Sequence, residues 1–153
     1  MNTLKIGDTV PAFSCLDDQG NNVQLSDYQG KKLIVFFYPK ANTPGCTAEA
    51  CDLRDSYKVF SDKGFSILGV SADSVAKQAN FKNKYSFPYP LLADESHEVI
   101  NAFGVWGPKK FMGREYEGIH RKTFVLDENG VVTHVVDKVN TKEHATQLLE
   151  LIA

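Results

Sequence analysis

The chain's longest unbroken apolar run reads Leu33-Ile34-Val35-Phe36-Phe37-Tyr38, and Pro39 follows it directly. The run is far shorter than the roughly 20 residues that cross a bilayer. β-Branched and aromatic residues without polar alternation are typical of a strand that is buried on both faces. We therefore predict a central strand over 33–38, which the proline ends.

Patterns on both sides of this strand predict its neighbours in the fold. Residues 12–16 and 23–25 flank a turn-rich cluster, which predicts an N-terminal hairpin. Residues 104–118 are rich in glycine, and we expect them to be irregular. The spacing of apolar residues and the capping residues in the rest of the chain predict helices over 47–62, 74–85, 96–103 and 140–152 and strands over 65–70, 91–93, 119–126 and 131–137.

This order of elements predicts the fold class. The chain has 153 residues, a length that suits one domain, and we expect a single domain over 1–153. Strands that alternate with helices form a layered sheet, and the last two strands add an antiparallel edge. The prediction is an α/β, thioredoxin-like fold with a mixed central sheet, flanking helices and an added N-terminal β-hairpin. In such a sheet the site lies at the carboxyl end of the central strand.

Composition and charge exclude several classes of function. Lys and Arg number 17 against 19 Asp and Glu, so no basic excess exists for binding nucleic acid. Residues 1–10 contain no apolar segment typical of a signal peptide, and we expect a cytoplasmic protein without membrane contacts. The four histidines lack metal-binding spacing. Three cysteines do not describe a disulfide scaffold, so each is either a small buried residue or a reactive one.

The segment after the central strand is the first candidate for chemistry. Pro44 and Gly45 shape a tight loop, which puts Cys46 in the first turn of the next helix. Unpaired N–H groups and the helix dipole favour an anion there, so the sulfur gains thiolate character. Thr43 can place its hydroxyl over the same pocket, where such donors hold an oxyanion. A buried structural cysteine is the alternative.

The other two cysteines differ in their relation to Cys46. Cys51 follows it by five residues, and ideal helix geometry separates their Cα atoms by about 8.6 Å. A disulfide needs less than about 7 Å, so these cysteines can bond only if the first turns unwind. The spacing fits equally well the alternative that Cys51 serves only as a small buried apolar residue. Cys15 has no activating neighbour in sequence, and we predict a structural role for it.

Two charged residues are candidates for supporting the sulfur. Arg121 stands at the entry to a predicted strand, from which a guanidinium can reach the thiolate pocket and donate to a substrate oxygen. A surface arginine at a strand end is the alternative. Glu49 can orient such an arginine, or it can be a favourable acid in the first turn of the helix.

Together, these residues resemble the peroxiredoxins. The family motif P-x-x-x-T/S-x-x-C fits Pro39, Thr43 and Cys46 in full. Cys51 resembles the second cysteine of the subfamily called bacterioferritin comigratory protein or peroxiredoxin Q. The resemblance covers essentially the whole chain, and further matching segments are Ile6-Gly7-Asp8, Pro11-Ala12-Phe13, Gly104–Gly113 and Gly118–Phe124.

The resemblance implies a role for each matched residue. Cys46 would be the peroxidatic cysteine, which becomes a sulfenic acid, and Cys51 the resolving cysteine of an intramolecular disulfide. Thr43 and Arg121 would bind the peroxide, and Pro39 would shield the pocket. Thioredoxin or a similar dithiol would reduce the disulfide. The resemblance implies no metal and no cofactor, and it implies a monomer with a weak dimer as the alternative.

Two other functions are alternatives to a peroxidase. A thioredoxin-like dithiol oxidoreductase would carry C-x-x-C where this chain has Thr43-Pro44-Gly45-Cys46, so the sequence argues against it. A redox sensor or chaperone would use the same cysteine switch without sustained turnover, and the sequence leaves this alternative open. Peroxide preference depends on the pocket, where Trp106, Phe111 and Met112 are either an apolar wall or ordinary loop packing.

Overall fold

The computed structural model describes residues 1–152. A short 3-10 helix at Leu25–Tyr28 accompanies the main elements. These follow the chain in the order β1 (Ser14–Leu16), β2 (Asn22–Gln24), β3 (Lys32–Phe37), α1 (Pro44–Asp55), α2 (Tyr57–Asp62), β4 (Phe65–Ser71), α3 (Val75–Tyr85), β5 (Leu91–Ala93), α4 (Glu98–Phe103), β6 (Trp106–Phe111), β7 (Arg114–Ile119), β8 (Lys122–Leu126), β9 (Val132–Val136) and α5 (His144–Ile152).

A five-stranded mixed sheet forms the centre of the molecule, with the strand order β5-β4-β3-β8-β9. Strand β3 pairs in parallel with β4 and antiparallel with β8, so it has a neighbour on each side. The expected central strand is confirmed. The mixed sheet, the flanking helices and the N-terminal hairpin of β1 and β2 are also as predicted.

Both faces of β3 are buried, which explains its unbroken apolar sequence. Leu33, Val35 and Phe37 pack into one core, which the N-terminal hairpin and α4 cover. Ile34, Phe36 and Tyr38 pack into the other core, together with apolar residues of α1, α2, α3 and α5. Because successive side chains of a strand point to opposite faces, one apolar run supplies both cores.

The register of the sheet brings two distant segments together. Phe37 at the end of β3 pairs with Lys122 at the start of β8. Because these strands are antiparallel, the residue before Lys122 lies beside the loop that follows β3. Arg121 therefore stands at the same edge of the sheet as the first turn of α1.

Residues 104–118 differ from the prediction. They form most of a regular antiparallel hairpin of β6 and β7, whose turn contains Met112 and Gly113 with left-handed backbone angles. The glycines that suggested irregular structure lie partly within its strands. Gly107 pairs with Gly118 across the hairpin, and a β-carbon at Gly107 would contact the side chain of Met1. Close packing, and not irregularity, accounts for these glycines.

Three helix boundaries also differ from the prediction. The predicted helix over 47–62 begins earlier, at Pro44, and is interrupted at Ser56, whose φ of -104° and ψ of 9° leave the helical range. Helix α4 begins at Glu98 after a left-handed His97, not at Ser96. Asn140 does not begin α5, because its carbonyl accepts from the Glu143 N–H in a turn and the helix begins only at His144. No helix among residues 1–152 has the length and apolarity needed to cross a membrane.

Candidate active site

The loop between β3 and α1 presents Cys46 at the start of a helix. The Tyr38 N–H still donates to Val70, but Pro39 has no N–H, and pairing along the sheet ends there. Thr43 is the extended residue that precedes the helix, and Pro44 is the first helical residue. Cys46 lies in the first turn with 1% of its surface exposed.

Asp73, which follows the neighbouring strand β4, holds this loop in place through hydrogen bonds. Its Oδ2 accepts hydrogen bonds at 2.7 Å from the Ala41 N–H and from the Ser71 hydroxyl. Asp73 does not cap the following helix, because Ser74 caps α3 by accepting from the Lys77 N–H. Asp73 is thus a supporting residue that sequence reasoning missed, because its partners lie 32 positions away along the chain or in another element.

The structure brings Cys46, Glu49 and Arg121 together. Nη2 of Arg121 donates to Sγ of Cys46 at 3.1 Å, and Nη1 donates to Oε1 of Glu49 at 2.6 Å. The residue at position 45 is glycine, and a β-carbon there would come within 3.4 Å of Nη2. One guanidinium therefore bridges the sulfur and a carboxylate, and its orientation is set from both sides.

Glu49 is a fully buried acid, and its two carboxyl oxygens have different neighbours. Burial raises the pKa of its carboxyl to about 7, although the neighbouring Arg121 opposes this shift. Its second oxygen faces Nε2 of His144 at 3.6 Å. The His144 side chain is also buried, and burial lowers the pKa of its ring. Sequence reasoning did not single out His144, because nothing in its local sequence links α5 to α1.

The other predicted site residues occupy more open positions. The Thr43 hydroxyl donates to the Lys40 carbonyl at 2.8 Å, which leaves its oxygen free to accept. Pro39 is exposed, and its shielding role stays a prediction. Cys51 lies on α1 together with Cys46, is half-buried and is not bonded to another cysteine. Burial raises the pKa of its thiol.

The β6–β7 hairpin does not form the apolar wall that was one of the two expectations. Phe111 and Met112 lie at its tip with 65% and 87% of their surfaces exposed. Trp106 packs instead against the His97 ring, with 4.4 Å between the ring centroids. The two residues at the tip are therefore neither a pocket wall nor ordinary loop packing.

The arrangement at Cys46 suits nucleophilic chemistry at sulfur. A guanidinium beside the sulfur favours its ionised form, and the same group can donate to an oxygen that approaches it. The helix N-terminus adds a favourable dipole for negative charge. Among residues 1–152 no cluster of three or more His, Cys, Asp or Glu has an arrangement that could hold a metal ion.

The chain is similar to known proteins over nearly its whole length. The sequence pattern of the AhpC/TSA family matches residues 6–135. Peroxiredoxin Bcp of Escherichia coli is 47% identical over 144 residues, which cover 94% of this chain and 92% of that protein. Peroxiredoxin Bcp of Bacillus subtilis is 44% identical over 150 residues, which cover 98% and 96%. The crystal structure of a PrxQ mutant from Xylella fastidiosa has a TM-score of 0.92 at 29% identity and covers 99% of this chain and 97% of that chain.

The chain belongs to the AhpC/TSA family, and within it to the peroxiredoxins of the bacterioferritin comigratory protein and peroxiredoxin Q type. The resemblance inferred from the sequence and the thioredoxin-like fold are both confirmed. The protein is accordingly an oxidoreductase, a thiol-dependent peroxidase that acts on a peroxide and takes electrons from a thiol reductant.

Proposed function

We propose that this enzyme reduces hydrogen peroxide and organic hydroperoxides at Cys46. The thiolate attacks the nearer peroxide oxygen, an S–O bond forms as the O–O bond breaks, and sulfur is oxidised by two electrons to a sulfenic acid. The farther oxygen leaves with the bonding electron pair, takes a proton from solvent and departs as water or an alcohol. The 3.1 Å contact between Arg121 and the Cys46 sulfur carries the proposal.

The neighbouring groups have distinct roles in this step. The Arg121 guanidinium stabilises the thiolate first and the developing charge on the leaving oxygen later. Glu49 orients the guanidinium through its 2.6 Å contact. The Thr43 oxygen accepts a hydrogen bond from the peroxide O–H, and Pro39 limits access of water to the pocket.

We propose that Cys51 resolves the sulfenic acid. Its thiol displaces the sulfenic oxygen as water, and an intramolecular disulfide forms. Thioredoxin or a similar dithiol then reduces that disulfide by thiol–disulfide exchange. Both cysteines lie on α1, where ideal geometry separates their Cα atoms by about 8.6 Å, so the first two turns must unwind. Unwinding would break the bond that Tyr89 donates to the Ala50 carbonyl.

Steady-state turnover with a thioredoxin system and several peroxides tests the catalytic cycle. The wild type should consume peroxide as long as reductant is supplied. Cys51→Ser should consume one equivalent and then stall as a sulfenic acid or over-oxidise. A single oxidation without sustained turnover in the wild type would instead support the redox sensor or chaperone.

Amide hydrogen exchange tests the unwinding. Protection across residues 46–53 should fall when the wild type is oxidised and should persist in oxidised Cys51→Ser, which has no disulfide to form. Equal protection in the reduced and disulfide forms of the wild type would refute unwinding. The monomeric state, the cytoplasmic location and the lack of a nucleic-acid partner stay predictions from the sequence.

A further inference from the structure

A second titratable group faces Glu49 from the C-terminal helix. The side chains of His144 and Glu49 are both 0% exposed, and Nε2 of His144 lies 3.6 Å from Oε2 of Glu49. That carboxyl oxygen has no hydrogen-bond partner among residues 1–152. An unpaired carboxylate oxygen is costly in the interior, whereas a proton on either group of the pair removes its net negative charge.

The hydrogen bonds around His144 determine which ring nitrogen carries its hydrogen. The Gln147 amide is oriented by two bonds, since its Nε2 donates to the Lys138 carbonyl and its Oε1 accepts from the Asn140 N–H. The same Oε1 lies 2.9 Å from Nδ1 of His144. Because Oε1 only accepts, Nδ1 must be the donor, and Nε2 of the neutral ring is an acceptor.

This acceptor nitrogen faces two groups. The hydroxyl of Thr123 lies 2.7 Å from Nε2, and Oε2 of Glu49 lies 3.6 Å from the same nitrogen. That separation is longer than a hydrogen bond, so the ring and the carboxyl act on each other through charge, and a proton on either group changes the affinity of the other for a proton. The two groups form one proton-binding unit, whose titration belongs to the pair.

The other charged or titratable groups around the pair are few. Arg121 contacts the first oxygen of Glu49. Asp52 lies on α1, its carboxylate accepts from the Ala145 N–H at the start of α5, and its charge favours a protonated His144. Tyr89 stays neutral, because burial keeps the pKa of its hydroxyl well above the usual value. Burial also raises the pKa of Glu49 to about 7 and lowers that of His144, so burial favours the neutral form of each group.

We propose that Glu49 and His144 share one proton and that His144 is thereby a positioning residue, which sets the charge opposite Arg121. The inference rests on the proposed role of Cys46. When the proton is present, Glu49 and His144 together carry no net negative charge, and the guanidinium acts on the sulfur undiminished. When the proton leaves as pH rises, the carboxylate offsets the guanidinium, and the Cys46 thiolate is stabilised less.

His144→Gln tests this role through its dependence on pH, because without the ring Glu49 loses its proton at a lower pH. At about pH 6.5 the variant should react at Cys46 about threefold more slowly than the wild type, and at about pH 8.5 the two rates should converge. His134→Gln, on β9 and outside this network, is the matched control and should match the wild type at both values. A loss of equal size at both pH values would mean a merely structural role and would overturn the proposal.

Two further measurements keep the test independent of folding and of peroxidase activity. In Glu49→Gln no carboxyl titrates, so adding His144→Gln should change the rate by the same factor at both pH values.

Nitrogen NMR of His144 should show the Nδ1–H tautomer at high pH and a titration whose midpoint moves in Glu49→Gln. An unmoved midpoint would refute the shared proton.

Site-resolved alkylation of Cys46 by iodoacetamide should reproduce the pH-dependent ratio without any peroxide. If alkylation shows that ratio while the wild type consumes no peroxide, the proposed function fails and the shared proton stands. If the ratio is absent with both reagents, the shared proton is wrong, whatever the enzyme's activity.

Discussion

Two buried cysteines of this chain have opposite surroundings. Cys46 is 1% exposed and Cys15 is 8% exposed, so burial alone hardly distinguishes them. Cys46 accepts a hydrogen bond from the Arg121 guanidinium at a helix N-terminus. Cys15 lies within a strand of the N-terminal hairpin, where burial first and then the charges of Asp94 and nearby acids raise the pKa of its thiol to about 12.

Neighbouring charge, and not burial, is what distinguishes the surroundings of these two thiols. The Cys46 sulfur adjoins a cation and a helix N-terminus. At Cys15 burial and neighbouring carboxylates both raise the pKa of the thiol. The cysteine proposed as the nucleophile and the cysteine proposed as structural therefore differ in the charges around them.

Removing the Cys46 sulfur should have the largest effect. Cys46→Ser should abolish peroxide consumption, because a hydroxyl at that position stays protonated and is a poor nucleophile. Stopped-flow or coupled assays with several peroxides measure this directly. Rapid consumption by the variant would assign the reaction to another residue.

Alkylation should reveal the contrast within a single sample of wild-type protein. At about pH 8, iodoacetamide should modify Cys46 at least about a thousandfold faster than Cys15, which remains a neutral thiol until the pH approaches its pKa of about 12. Mass spectrometry of the separated peptides gives both rates. Similar rates would mean that the acids near Cys15 do not control its ionisation.

Removing the cation should make the surroundings of Cys46 more like those of Cys15. Arg121→Ala should slow oxidation of Cys46 by about a hundredfold or more, because the guanidinium stabilises both the thiolate and the developing charge. Arg114→Ala, at the exposed end of the β6–β7 hairpin, is the matched control. If Arg121→Ala left both the second-order rate of Cys46 oxidation and the melting temperature unchanged, Arg121 would be only a surface charge.

The smallest effect on activity is expected at Cys15. Cys15→Ser should leave turnover unchanged and lower the free energy of unfolding by about 1 kcal/mol, because a hydroxyl replaces a buried thiol among acids. Urea unfolding and the turnover assay check the two parts separately. If this variant lost its single-chain disulfide, the resolving cysteine would be Cys15 and not Cys51.

Local sequence patterns predicted the elements well where the pattern came from burial. The run 33–38 became the central strand because both of its faces meet a core. The patterns were wrong where tertiary packing, which a local pattern does not describe, determined the backbone structure at a residue. Gly107 and Gly118 suggested a loop, yet they face each other in a hairpin. Asn140 and Glu143 have the spacing of a helix cap, but α5 begins only at His144.

By itself, the sequence determined the fold class through the order of its predicted elements, the candidate nucleophile through the position of Cys46 after the central strand, and the family through a resemblance that covers the chain. Only the tertiary structure decided which charges meet. Arg121 lies 75 positions from Cys46, and His144 lies on a helix that the chain reaches last. Their contacts depend on the antiparallel register of β3 and β8 and on the packing of α5 against α1, and no local pattern encodes such long-range distances.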